Sequence, residues 1–133
     1  MQVIGLELDP LTRLPLVSLS DGETTVAVRV ALAEASVISA ALGGIELERP
    51  CTHQLLCRTI ERIGYRLVRA EIIDVQDDVH YARIVLASPD GAEVFEEARC
   101  SDAIATALFA GADVWVARWV VDSSLVSERT PIH

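Results

Sequence analysis

Residues 66–99 read RLVRAEIIDVQDDVHYARIVLASPDGAEVFEEAR. Three β-rich runs, Arg66 to Val75, Tyr81 to Ala87 and Glu93 to Ala98, are separated by Asp77-Asp78 and by Pro89-Asp90-Gly91. Both separators are turn signals, so the stretch predicts a β-meander. After it, Ser101 or Asp102 is positioned to cap a helix that continues through Phe109 and stops at Gly111, and Ala112 to Ala117 then reads as a short strand. Before it, a helix is expected from Thr52 to Ile63, with Thr52 as N-cap and Gly64 where a left-handed residue ends the helix.

The opening third repeats the pattern. Residues 2–9 alternate, with Ile4, Leu6 and Leu8 on one face and Gly5, Glu7 and Asp9 on the other, the period of a half-buried strand. Leu14 to Ser20 and Thr24 to Val30 are two further strand-like runs joined by Asp21-Gly22. From about Leu32 the period lengthens, and Val37, Ile38, Ala41 and Leu42 recur at helical spacing until Gly43-Gly44. Two meanders, each followed by helix, predict an α+β fold: one compact domain over residues 1–122, a mainly antiparallel or mixed sheet with about three helices packed on it, and a loose C-terminal tail over 123–133.

Length and charge narrow the function. A chain of 133 residues, 51% apolar, supports one domain with a sizeable core and no disulfide or metal staples. The net charge is -9, and all 11 cations are arginine. A diffuse lysine-rich nucleic-acid surface is thereby excluded, and tight metal-free binding of a polyanion is disfavoured. The charge is not uniform, however: between Arg49 and Arg69 five arginines stand against Glu61 alone, a local net charge of +4, and Arg58 and Arg62 share one exposed helical face. The first residues lack a cationic and apolar leader, and no apolar run approaches a membrane span, so a soluble, cytoplasmic protein is expected. Cys51, Cys57 and Cys100 are odd in number and form no C-x-x-C pair, which argues for small buried thiols and against zinc.

Three groups carry possible chemistry. Glu34 projects between Val37 and Ala41 on one side and Ile38 on the other, a carboxylate in an apolar stripe. Burial of an unpaired charge costs several kcal/mol, so Glu34 must be paired, hydrogen-bonded, metal-bound or protonated, unless first-turn solvent still reaches it. His53 lies beside Ile60 at the margin of a Leu56/Ile60/Ile63 face, suited to acid-base work, metal binding or a purely structural role. The run Glu96-Glu97-Ala98-Arg99-Cys100-Ser101-Asp102-Ala103 places an acid and an arginine at a strand-to-helix junction, where either capping or contact with a phosphate or metal follows. Nucleotide-binding loops, nucleophile elbows and H-E-x-x-H are absent, which removes the usual support for several large enzyme classes.

Taken in order, Glu34-Ala35, Arg49-Pro50-x-Thr52-His53-x-Leu55, Tyr81-Ala82 and Arg99-x-Ser101-Asp102-Ala103 resemble the bifunctional nuclease (BFN) domain family, over about residues 3 to 121. Gln54 stands where the family pattern has an acid, and Cys100 where it has proline. The resemblance implies a compact α+β domain, often oligomeric, that cleaves DNA and RNA. Residue by residue it implies a catalytic set of Glu34, His53 and Asp102, with magnesium or manganese on Glu34 and Asp102, and phosphate contacts from Arg49, Thr52, Arg99 and Ser101. Metal-assisted phosphodiester hydrolysis is the resulting expectation, with nucleic acid as a weak, cation-dependent substrate. The alternative is a non-enzymatic module that binds a small anion or a protein, with Glu34 paired internally to Arg49 or Arg99. Under either reading the high apolar content points to a homodimer or higher homo-oligomer, with no membrane partner.

Overall fold

The computed structural model describes residues 1–44 and 49–129, with side chains through residue 123. Seven strands and four helices follow one another as β1 (Gln2–Leu8), β2 (Pro15–Ser20), β3 (Thr25–Arg29), α1 (Leu32–Leu42), α2 (Thr52–Arg62), β4 (Arg66–Gln76), β5 (Val79–Ala87), β6 (Glu93–Arg99), α3 (Cys100–Ala110), β7 (Asp113–Val116) and α4 (Arg118–Arg129). The α+β class and both meanders agree with the sequence pattern. The meanders build two sheets rather than one: an antiparallel β1-β2-β3 sheet and a mixed sheet in the order β6-β5-β4-β7, with β7 parallel to β4.

Turn chemistry sets the second meander. Asp77 and Asp78 both take positive φ angles, 51° and 64°, and link the paired residues Gln76 and Val79. Two consecutive left-handed residues make the two-residue turn whose twist matches antiparallel strands, and aspartate tolerates that conformation better than most side chains. In the first meander Asp21 Oδ1 accepts hydrogen bonds from the backbone N–H groups of Glu23 and Thr24, closing the β2–β3 turn.

The core centres on α3. Cys100, Ala103, Ile104, Ala105, Thr106 and Ala107 are all buried, so this helix is enclosed on most of its circumference. Its alanines let backbones approach closely, and it packs against α1, α2 and every strand of the four-stranded sheet. The one polar side chain deep inside it, Thr106, donates its hydroxyl to the Asp102 carbonyl at 2.6 Å.

Several details depart from the sequence expectation. A register irregularity between Val3 and Gly5 shifts the alternation of β1, so Val3 and Leu6 pack on the core while Ile4 and Leu8 are each 59% exposed. On α2 only Ile60 of the expected Leu56/Ile60/Ile63 face is buried. The caps also move: Cys51 rather than Thr52 precedes α2, and Arg99 rather than Ser101 or Asp102 precedes α3. Residues 123–129, expected as loose tail, belong to α4, because Val120 and Val121 anchor its start and Ser123 donates its hydroxyl back to the Trp119 carbonyl within the helix. The last four residues of that expected tail lie outside the described residues. No described helix is long and apolar enough to cross a membrane.

On the face of the four-stranded sheet away from α3, charge replaces apolar packing. Glu71, buried, accepts hydrogen bonds from Arg69 Nε at 2.8 Å and Arg83 Nε at 2.6 Å. The Arg69 guanidinium lies over the Trp115 ring at 4.1 Å and that of Arg83 over Phe95 at 4.4 Å. Burial alone pushes the Glu71 carboxyl up, but the Arg69 and Arg83 hydrogen bonds outweigh it and leave Glu71 below the usual carboxylate range.

Two stability measurements follow. Ile104→Ala, which empties a fully buried position in α3, is expected to lower the unfolding free energy by about 2–5 kcal/mol in urea titration. A depressed carboxyl stabilises the fold above its unfolded pKa of about 4.3 and loses that contribution as pH falls through its folded value. Glu71→Gln is therefore expected to lower the melting temperature at neutral pH, with its deficit relative to wild type shrinking below about pH 4; a constant deficit across that range would refute the assignment.

Candidate functional site

Four side chains from four elements meet at the start of α3. Glu34 comes from the first turn of α1, His53 from the first turn of α2, and Arg99 and Asp102 from the handover between β6 and α3. Helical spacing in α3 puts Asp102 over Arg99, and the forked guanidinium grips it: Nε to Oδ2 at 2.8 Å and Nη2 to Oδ1 at 3.2 Å. The same Nη2 reaches Glu34 Oε1 at 3.0 Å. On the far side, His53 Nε2 meets Asp102 Oδ1 at 3.0 Å. The order Glu34–Arg99–Asp102–His53 is thus one continuous chain of polar contacts.

Access differs along this chain. The side chains of Glu34 and His53 are each 13% exposed, Asp102 is 33% and Arg99 is 69%. Glu34 Oε2 and His53 Nδ1 are buried with no hydrogen-bond partner. Burial pushes the Asp102 carboxyl up, but the Arg99 and then the His53 hydrogen bonds prevail and hold it below the usual range, so Asp102 is anionic at neutral pH. Its place in the first turn of α3 adds the favourable end of the helix dipole. The Asp102 hydrogen bond, followed by the charges of Asp102 and Glu34, raises the Arg99 pKa further.

Arg99 and Glu34 also line a cleft of about 900 Å³ together with Arg29, His80, Tyr81 and Ser101. Arg29 and His80 carried no signal that sequence reasoning used; a histidine two residues past a tight turn, half-buried against that cleft, is the cue that could have found His80. Burial lowers the His80 pKa, so its ring is neutral at pH 7.

The other expected site residues sit apart from the chain of contacts. Arg49 is exposed and makes no ion pair among the described residues, and Thr52 is exposed at the start of α2. Ser101 reaches the cleft but not the four-residue chain. Gln54 has a structural role, because its Oε1 accepts the Cys51 backbone N–H at 3.0 Å, one half of a capping box. An acid at this position would satisfy the same donor, so the change from acid to glutamine preserves the helix entry.

A divalent metal shared by Glu34 and Asp102 does not fit this donor set. The Arg99 guanidinium already bridges the two carboxylates, and among the described residues no three His, Cys, Asp or Glu groups converge on a cation position. Two of the thiols are poor nucleophiles: burial pushes Cys100 up to about 12 and also raises Cys57.

The sequence has relatives over most of its length. Two Mycobacterium tuberculosis proteins, uncharacterized protein MT1877 of strain CDC 1551 / Oshkosh and uncharacterized protein Rv1829 of strain ATCC 25618 / H37Rv, are each 27% identical over 118 residues, covering 87% of this chain and 70% of theirs. The bifunctional nuclease domain matches residues 16–129, from the second strand to the end of α4 and across all four residues of the polar chain. On that match the chain belongs to the bifunctional nuclease domain family.

Proposed function

We propose that the protein hydrolyses phosphodiester bonds of DNA or RNA at the cleft rimmed by Glu34 and Arg99. One observation carries the reading: four residues distant in sequence join in a single hydrogen-bonded chain whose most exposed member is an arginine. With Nε and Nη2 engaged, Arg99 keeps Nη1 free of hydrogen bonds among the described residues, a cationic donor held in a fixed orientation at the cleft. Such a donor stabilises the charge that develops on a phosphoryl group, and its orientation is set before the substrate arrives.

Asp102 is anionic and one-third exposed, so it accepts the proton of the water whose oxygen bonds to phosphorus, while the opposite P–O bond breaks and the leaving oxygen takes a proton from solvent. His53 lies behind it with Nε2 on Oδ1 and acts as a positioning residue, holding the carboxylate in place. Arg49, Thr52 and Ser101 contact the flanking phosphates in this reading. Magnesium or manganese acts as the substrate's own counter-ion, allowing a polyanion to approach a protein of net charge -9, and holds no assigned position on Glu34 and Asp102. The protein works in the cytoplasm as a homo-oligomer.

A second reading draws on the Glu34–Arg99 contact at 3.0 Å, the internal ion pair expected of a non-enzymatic module that binds a small anion or a protein. Cleavage of single-stranded DNA and RNA, followed with manganese and with EDTA, separates the two. Under the nuclease reading Arg99→Gln and Asp102→Asn lose about 100-fold or more in kcat, while His53→Asn loses less and shifts the pH profile. Wild-type-like cleavage by Asp102→Asn would sink the assignment, and saturable binding of oligonucleotide or phosphate without turnover would favour the module.

A further inference from the structure

Two surfaces of the protein are apolar, exposed and opposite in charge. One is the outer face of α2: Leu55 and, just beyond the helix, Ile63 are 60% and 62% exposed, with Leu56 beside them and the exposed Arg58 and Arg62 alongside. The other is the open face of the four-stranded sheet, where Phe95 and Trp115 are about half exposed, at 48% and 52%. Cross-strand register places Glu97 in line with Arg83 and Glu71, and Asp113 in line with Arg69. The two arginines on that face are already paired with Glu71 and Glu93, which leaves Glu97 and Asp113 as exposed carboxylates without an ion pair among the described residues.

Within one chain these surfaces cannot meet, because α2 packs on α3 and α3 covers the opposite side of the sheet. Sheet against sheet would oppose acid to acid, and α2 against α2 would oppose arginine to arginine. Only helix against sheet joins opposite charges around apolar centres.

We infer that α2 of one copy docks on the open sheet face of another, with Leu55, Leu56 and Ile63 against Phe95 and Trp115, and Arg58 and Arg62 against Glu97 and Asp113. The inference rests on the homo-oligomer part of the proposed function and specifies its contact. Each copy carries the two halves on opposite sides, so head-to-tail contacts that close into a ring satisfy the arrangement.

Light scattering after size exclusion, over a concentration series, tests it. Wild type is expected as an assembly of at least two copies. The double variants Arg58→Glu/Arg62→Glu and Glu97→Arg/Asp113→Arg each raise the dissociation constant by about 100-fold or more, and the quadruple variant, with both charges exchanged, recovers most of the loss. In wild type, dilution through the transition moves tryptophan emission to the red as Trp115 is released, and Trp115→Phe removes the shift. A monomeric wild type overturns the oligomer itself. An assembly that withstands both charge reversals, or an emission unchanged on dilution, overturns this interface while leaving the oligomer standing.

Discussion

The enclosure of α3 governs the rest of the molecule. A helix buried on most of its circumference must reach neighbours on several sides, and the run Ala103-Ile104-Ala105-Thr106-Ala107 supplies the small side chains that allow it. Because α1, α2 and the sheet all close on this helix, its first turn becomes the place where their polar groups converge. Glu34 and His53 arrive there from two different helices, and Arg99 and Asp102 belong to the junction itself. Packing, rather than any local motif, brings the four together.

The electrostatics follow the same geometry. Two arginine–carboxylate clusters organise the protein, one at the head of α3 and one on the open sheet face, and both contain a carboxylate whose pKa burial pushes up. In each case forked or paired guanidinium contacts outweigh burial and leave the carboxyl below its usual range. Arginine alone serves here, since a lysine ammonium cannot span Glu34 and Asp102 with a fixed planar fork. A chain without a single lysine commits three of its eleven arginines, Arg69, Arg83 and Arg99, to geometry at these two places, and the acidic total of the sequence says little about what an approaching anion meets at Arg99.

Much of this was legible beforehand. Turn dipeptides fixed the strand order within each meander, and Glu34 announced itself as a carboxylate in an apolar stripe that required a partner. That partner, Arg99, was among the residues singled out, as were Asp102 and His53. What the sequence hid has physical causes. A bulge in β1 breaks the period of two on which the Ile4/Leu6/Leu8 face was read. Ser123 and its neighbours look like loop residues, yet a serine hydroxyl can satisfy itself on the carbonyl one turn back and stay helical. The metal expectation treated Glu34 and Asp102 as a pair of hard ligands, whereas the guanidinium between them is a contact that no spacing rule reveals. The Arg69–Glu71–Arg83 cluster has no signal in the spacing of its residues either, because only strand register shows that these charges meet.

Of the elements that meet at the site, α2 is the least embedded. It buries one residue outright, Ile60, with Cys57 and His53 half-sheltered beside it. Hydrogen exchange and protease susceptibility in a folded chain are set by such lightly held units, which open long before the molecule as a whole unfolds. Each opening of α2 carries His53 away and strips Asp102 of its rear support, while Arg99 and Glu34 stay in place on the enclosed part of the fold. The complete constellation therefore depends on the seating of one peripheral helix, since His53 reaches Asp102 only while α2 packs on α3.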